Sequence, residues 1–75
     1  MNWDDYRYFL AVARSGRLSM AGRQLGVDHA TVSRRIKALE DALKTRLFDR
    51  SPGGYALTRD GEALVSMAER MESGV

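Results

Sequence analysis

Cysteine is absent from the 75 residues, and histidine, tryptophan and proline each occur once. Without cysteine the chain can form neither a disulfide framework nor a thiolate metal site, and nothing points to an oxidising compartment. The lone His29 and the scattered carboxylates give no metal-ligand set and no nucleophile-base constellation, so hydrolytic and metal-assisted chemistry lack their parts. Gly53-Gly54 has neither the spacing nor the strand-to-helix setting of a phosphate-binding loop. No apolar run approaches the roughly 20 residues that cross a bilayer, and Met1-Asn2-Trp3-Asp4-Asp5 is acidic where a signal peptide is basic. The expectation is a soluble, cytoplasmic chain with no membrane association, no cofactor, no metal and no catalytic residues. A domain this small buries only about 60% of the surface its unfolded chain exposes, so its stability margin is thin.

What is present is charge, unevenly placed. The net charge is +2, yet Arg14 to Arg59 holds ten basic and four acidic residues, a local balance of +6, and the remainder carries −4. Such segregation suits a polyanionic partner, although an ordinary solvated surface also accommodates it.

Apolar spacing yields four helices and a hairpin. Trp3, Tyr6, Phe9, Leu10 and Ala13 recur at helical intervals, with Asn2 as a candidate N-cap, and Ser15-Gly16 stops the first helix. Ser19 is the next candidate cap, before a short helix from Met20 to Leu25 that Gly26 ends. Asp28 caps a third helix running to about Lys44, whose Val32, Ile36, Leu39 and Leu43 make one narrow stripe. A short helix, a glycine turn and a longer helix form a helix-turn-helix pattern. The period then changes: Leu47-Phe48-Asp49-Arg50 and Tyr55-Ala56-Leu57 read as strands around Ser51-Pro52-Gly53-Gly54. Proline followed by glycine favours a type II turn with positive φ at Gly53. Thr58 caps a fourth helix carrying the stripe Leu64, Met67, Ala68 and Met71. The fold class is therefore mainly α, a winged helix-turn-helix of order α-α-α-β-β-α with a C-terminal helix.

At 100° per residue, the face of the third helix opposite its stripe carries Ala30, Arg34 and Lys37, flanked by Ser33 and Thr31. Arginine can read guanine through a bidentate fork, small residues approach thymine methyls, and hydroxyls serve bases or phosphates. Asp41 lies on that side two turns later, where phosphates would repel it, so the C-terminal end should point out of a groove. His29 is either merely exposed or in contact with DNA. Arg35 either pairs with Asp4 or Asp5 or reaches DNA. Tyr55 reads as the packed root of the hairpin, and Lys44 and Arg46 as solvated charges.

The runs Phe9-Leu10-Ala11-Val12-Ala13, Leu18-Ser19-Met20-Ala21-Gly22-Arg23-Gln24-Leu25-Gly26-Val27, Thr31-Val32-Ser33-Arg34-Arg35-Ile36, Leu39-Glu40, Leu47-Phe48-Asp49-Arg50 and Leu57-Thr58-Arg59-Asp60-Gly61 closely resemble the DNA-binding domain of LysR-type transcriptional regulators. The resemblance covers the whole chain. It implies a bacterial regulator whose third helix, about 29–44, enters the major groove of double-stranded DNA, with a wing, about 47–57, on the backbone. By position it places base contacts on His29, Ala30, Ser33 and Arg34, and phosphate contacts on Ser19, Thr31, Lys37, Arg50, Pro52 and Gly53. It further implies a homodimer through the fourth helix (Leu64, Met67, Ala68, Met71) on an interrupted dyad; the residues alone leave the stripe either as that surface, or as a cover for the first helix, or as both, with Leu64 inward and Met67 and Met71 toward a partner. Residues 1–58 would be the winged helix-turn-helix and 59–75 the start of a linker and dimerisation helix. The effector-binding domain is absent from the sequence, and any small-molecule effector would belong there.

The chain departs from the family in having Asp28-His29-Ala30 where Ser-Gln-Pro is frequent, and Gly22 where alanine is usual. Glycine inside a helix costs roughly 1 kcal/mol. If a methyl fits, Gly22→Ala should stabilise; if not, the glycine serves close packing. Two other classes remain as alternatives: a winged helix that binds protein, which would show no salt-dependent duplex binding, and an enzyme subdomain, for which the residues are missing.

Overall fold

The computed structural model describes residues 3–74. Its elements are α1 (Trp3–Ser15), α2 (Leu18–Leu25), α3 (His29–Leu43), β1 (Phe48–Ser51), β2 (Gly54–Leu57) and α4 (Arg59–Glu72), the expected order. The cap expected at Asn2 lies outside the described residues.

One core joins all the elements. Phe9, Leu10, Ala11 and Val12 of α1, Ala21 of α2, the Val32, Ile36 and Leu39 stripe of α3, Leu47, Phe48, and Leu64 and Ala68 of α4 are buried together. Leu43, at the end of the α3 stripe, is half-buried. Trp3, expected on the inner face of α1, is 40% exposed and lies beside Tyr6, its ring centroid 6.2 Å away. The hairpin leans on this core through Phe48, whose ring is 5.4 Å from that of Phe9 and 5.7 Å from that of Tyr55. Two strands alone would be marginal, and this aromatic chain ties them to α1.

Capping follows the sequence at two of three helices. Asp28 accepts from Thr31 N–H at 2.7 Å, and Thr58 accepts from Gly61 N–H at 3.0 Å. The Ser19 cap is incorrect: α2 starts two residues earlier than expected, at Leu18, after an extended Arg17 that offers no side-chain cap bond. Ser15 takes over the local role, its Oγ accepting from Arg17 N–H at 3.4 Å and donating to the Ala11 carbonyl at 2.8 Å. Lys44 ends α3 in the left-handed region with φ 55.

The hairpin register pairs Phe48 with Leu57 and Ser51 with Gly54, leaving Pro52-Gly53 as the loop. The expected type II turn is corrected, because the positive φ falls on Gly54 (134°) and not on Gly53. A methyl on Gly54 would stand 2.5 Å from the Gly16 carbonyl oxygen, which also accepts from Tyr55 N–H at 2.8 Å. The glycine is thus required by the docking of β2 onto the α1–α2 turn. Gly22 is a second close approach: an added methyl would lie 2.6 Å from the Val27 carbonyl oxygen, so the α2–α3 turn packs directly on α2.

Thr58-Arg59-Asp60-Gly61 locks α4 onto the α3–β1 connection. Thr58 Oγ1 donates to the Arg46 carbonyl at 2.7 Å and Thr58 N–H to the Leu47 carbonyl at 3.0 Å. Thr45 Oγ1 donates to Asp60 Oδ2 at 2.6 Å, and a side chain at Gly61 would collide with the Leu47 carbonyl. Glu40 completes the joint by accepting from Leu47 N–H (2.8 Å) and Phe48 N–H (3.3 Å), so two backbone donors that α3 and the hairpin leave over are satisfied.

Candidate nucleic-acid interface

The joint just described holds the hairpin beside α3, so that the outer face of the helix and the wing form one surface with a cleft at each end. One cleft is bordered by Arg17 and Ser19 of the α2 start, His29 at the first position of α3, and Ser51, Pro52 and Gly53 of the hairpin tip. The other lies between the C-terminal half of α3 and β1, and is lined by Lys37, Glu40, Asp41, Lys44, Arg46 and Arg50. Between them His29, Ala30, Arg34 and Lys37 are exposed along α3, while Thr31 and Ser33 are half-buried at its flanks.

The structure therefore brings Ser19, His29, Pro52 and Gly53 together at one end and Lys37 with Arg50 at the other. It adds three cations to the expected set: Arg17 at the first cleft, and Lys44 and Arg46 at the second. Sequence reasoning treated the last two as solvated charges because the hairpin's folding back beside Lys37 is a tertiary fact. The change of period after Lys44, which marks a reversal of the chain, was the available signal.

Pairing separates this face from the rest of the molecule. Arg7 is bridged to Asp4 (3.0 Å), Arg14 to Glu69 (3.4 Å) and Glu72 (2.7 Å), and Arg35 to Asp5 (3.3 Å). Arg35 also lies 5.0 Å over the Tyr8 ring, which resolves its two readings in favour of the α1 contact. Among the described residues, no carboxylate lies within salt-bridge distance of Arg17, Arg34, Lys37, Lys44, Arg46 or Arg50. Arg50 is supported by the Tyr55 ring at 5.4 Å, and Arg34 Nη2 donates to Thr31 Oγ1 at 3.3 Å. The Asp28 carboxyl is held below the usual range, first by the Thr31 backbone N–H and then by the Thr31 hydroxyl.

The α4 stripe divides. Leu64 (7% exposed) and Ala68 (0%) belong to the chain's own core, because α4 must cover α1 to close it, and so the expectation that they face a partner is corrected. Met67 and Met71 remain 43% and 44% exposed. Among the described residues no helix is long and apolar enough to cross a membrane, and no group of three or more His, Cys, Asp or Glu is placed to hold a metal ion.

A short helix, a glycine turn, a second helix with an exposed cationic face, and a hairpin alongside it define a winged helix-turn-helix DNA-binding domain. The family model for bacterial regulatory helix-turn-helix proteins of the lysR family matches residues 3–62, and the chain belongs to that family. It is 41% identical over 71 residues to the HTH-type transcriptional regulator TfdS of Cupriavidus pinatubonensis (strain JMP 134 / LMG 1197), an alignment covering 95% of this chain and 24% of that protein. The crystal structure of the CbnR_DBD-DNA complex matches with a TM-score of 0.92 at 34% identity, covering 97% of this chain and 84% of that one. The BenM_DBD/benA site 1 DNA complex matches with a TM-score of 0.94 at 27% identity, over 99% and 83% of the two chains. The chain spans about a quarter of the length of relatives such as TfdS, 24% in that case.

Proposed function

We propose that this domain reads an interrupted dyad in double-stranded DNA as a homodimer in the bacterial cytoplasm, serving a LysR-type transcriptional regulator. The observation that carries the proposal is the row of cations along α3 and the wing with no carboxylate of the described residues within salt-bridge distance. Cations left unpaired on one face attract phosphates and release their counterions on binding. The solved DNA complexes of CbnR and BenM domains with this fold support DNA as the partner.

In this reading α3 enters the major groove N-terminal half first. His29, Ala30, Ser33 and Arg34 face base edges, with Arg34 the strongest discriminator through guanine O6 and N7. Ser19, Lys37, Arg50 and the Pro52-Gly53 tip meet phosphates, joined by Arg17, Lys44 and Arg46. Asp41 shares the second cleft with these cations, so α3 leaves the groove at that end. Dimerisation uses Met67 and Met71, whose flexible side chains suit an irregular contact. Two-fold symmetry would then set two α3 helices on successive major-groove faces. Effector binding lies with regions of the regulator beyond this domain.

Binding-site selection from random duplex DNA tests the reading as a whole. Enrichment of a two-fold symmetric site is the expected result. Failure to enrich any sequence, together with binding indifferent to salt, would favour a winged helix whose partner is a protein.

A further inference from the structure

Thr31 lies three residues before Arg34 on α3, a spacing that makes the two side chains neighbours. Its polar groups are both engaged within the chain. The backbone N–H donates to Asp28 Oδ1 at 2.7 Å, and the hydroxyl oxygen accepts from Arg34 Nη2 at 3.3 Å. Thr31 is half-buried, whereas Asp28 and Arg34 are exposed on either side of it. The resemblance to the family implies a phosphate contact for Thr31, and the hydrogen bond its hydroxyl accepts from Arg34 gives it a second task.

The geometry points to Asp28, Thr31 and Arg34 working as one relay, in which Thr31 is a positioning residue that presets the Arg34 guanidinium for a base edge. This deepens the reading of Arg34 as a base contact and rests on it. The backbone N–H of Thr31 ties the residue to the Asp28 carboxylate, and its hydroxyl oxygen, an acceptor, holds the guanidinium, so one residue joins the two charges. The Asp28 carboxyl is stabilised in its ionised form by the Thr31 backbone N–H and hydroxyl, with a smaller contribution from the charge of Arg34. Asp28 places a full negative charge at the head of the relay. A long side chain loses rotamer freedom when it docks, and one held beforehand loses less. Bidentate reading of guanine is also directional, so orientation of the planar fork bears on which base is preferred as well as on affinity.

The test compares the 75-residue chain with Thr31→Val, Thr31→Ser and Arg34→Ala on the best selected duplex and on duplexes altered one base pair at a time. Arg34→Ala identifies the base pair that Arg34 reads. Thr31→Val should lower preference at that same base pair, on the order of threefold to tenfold, with an unchanged salt slope, and Thr31→Ser should restore it. Melting temperatures establish that each variant is folded, and the serine variant keeps the hydroxyl should valine disturb the helix. A salt slope reduced by about 0.9 with equal loss on every duplex would make Thr31 a phosphate contact and overturn the proposal. Unchanged preference in Thr31→Val would also overturn it. Equal losses for Arg34→Ala on all duplexes would instead remove the base-reading role beneath the proposal. That failure is distinguishable, because it is read from Arg34→Ala alone, whatever Thr31→Val does.

Discussion

Helices α3 and α4 are built by the same rules and turned to different ends. Each is capped by an oxygen side chain that accepts from a backbone N–H three residues on, Asp28 for Thr31 and Thr58 for Gly61. Each sinks an apolar stripe into the common core: Val32, Ile36 and Leu39 from one, Leu64 and Ala68 from the other. Outward they diverge. The α3 face presents Arg34 and Lys37 without salt-bridge partners among the described residues, while α4 presents two methionines and spends Glu69 and Glu72 on Arg14 of α1. Inward chemistry fixes where a helix sits, and the outward face determines what it can meet.

If both inner stripes are core, truncating either should cost the fold. Leu64→Ala is expected to lower stability by about 2 to 5 kcal/mol, the usual cost of emptying a buried leucine site. The loss should be the same at every protein concentration in thermal melts. A loss that disappears on dilution would place Leu64 in a dimer interface and make α4 unlike α3.

The position of α3 depends on its close approach to α2. Gly22→Ala should destabilise by about 1 to 3 kcal/mol, since the methyl meets the Val27 carbonyl oxygen at 2.6 Å and overpacking forces the backbone to shift. A raised melting temperature would show that the turn yields, and that the helical preference of alanine outweighs the contact.

These two positions also show what the residues could disclose in advance. The element order, the caps at Asp28 and Thr58 and the inner stripe of α3 were legible because periodicity and capping are local. The cationic surface was legible in outline, since Arg34 and Lys37 oppose that stripe on the helix wheel. The start of α2, the turn type and the role of Gly22 were not, because each is decided by a segment distant in the chain or by backbone approach. Gly54 carries the positive φ because β2 closes on Gly16, and Glu40 is recruited by backbone donors at Leu47 and Phe48. Leu64 and Ala68 have the spacing of a partner surface and the burial of a core, and only packing against α1 tells the two apart.

Two smaller effects sharpen the contrast on the side of α4. Met67→Glu and Met71→Glu should change the stability of the isolated domain by no more than about 0.5 kcal/mol, as exposed substitutions usually do, while abolishing self-association in sedimentation measured against concentration. Self-association that survives both charges would move the interface elsewhere. The smallest effect concerns the tether from α4 to α1. The hydrogen bond from Arg14 holds the Glu72 carboxyl below its ordinary value, so its contribution is present at neutral pH and is lost as pH falls through that depressed value. Glu72→Gln should therefore melt slightly below the wild type at neutral pH, and the gap should close in acid; a gap that widens in acid would reverse the sign.

The central claim, that DNA is met by the outward face of α3 and the wing and not by that of α4, is tested most directly by the salt dependence of duplex binding. Log affinity should fall linearly with log salt at about −0.9 for each phosphate neutralised. Lys37→Ala combined with Arg50→Ala should make that slope shallower by about two phosphate equivalents, and Arg70→Ala, an exposed cation of α4, should leave it unchanged. A slope indifferent to Lys37 and Arg50, or one that responds equally to Arg70, would contradict the account.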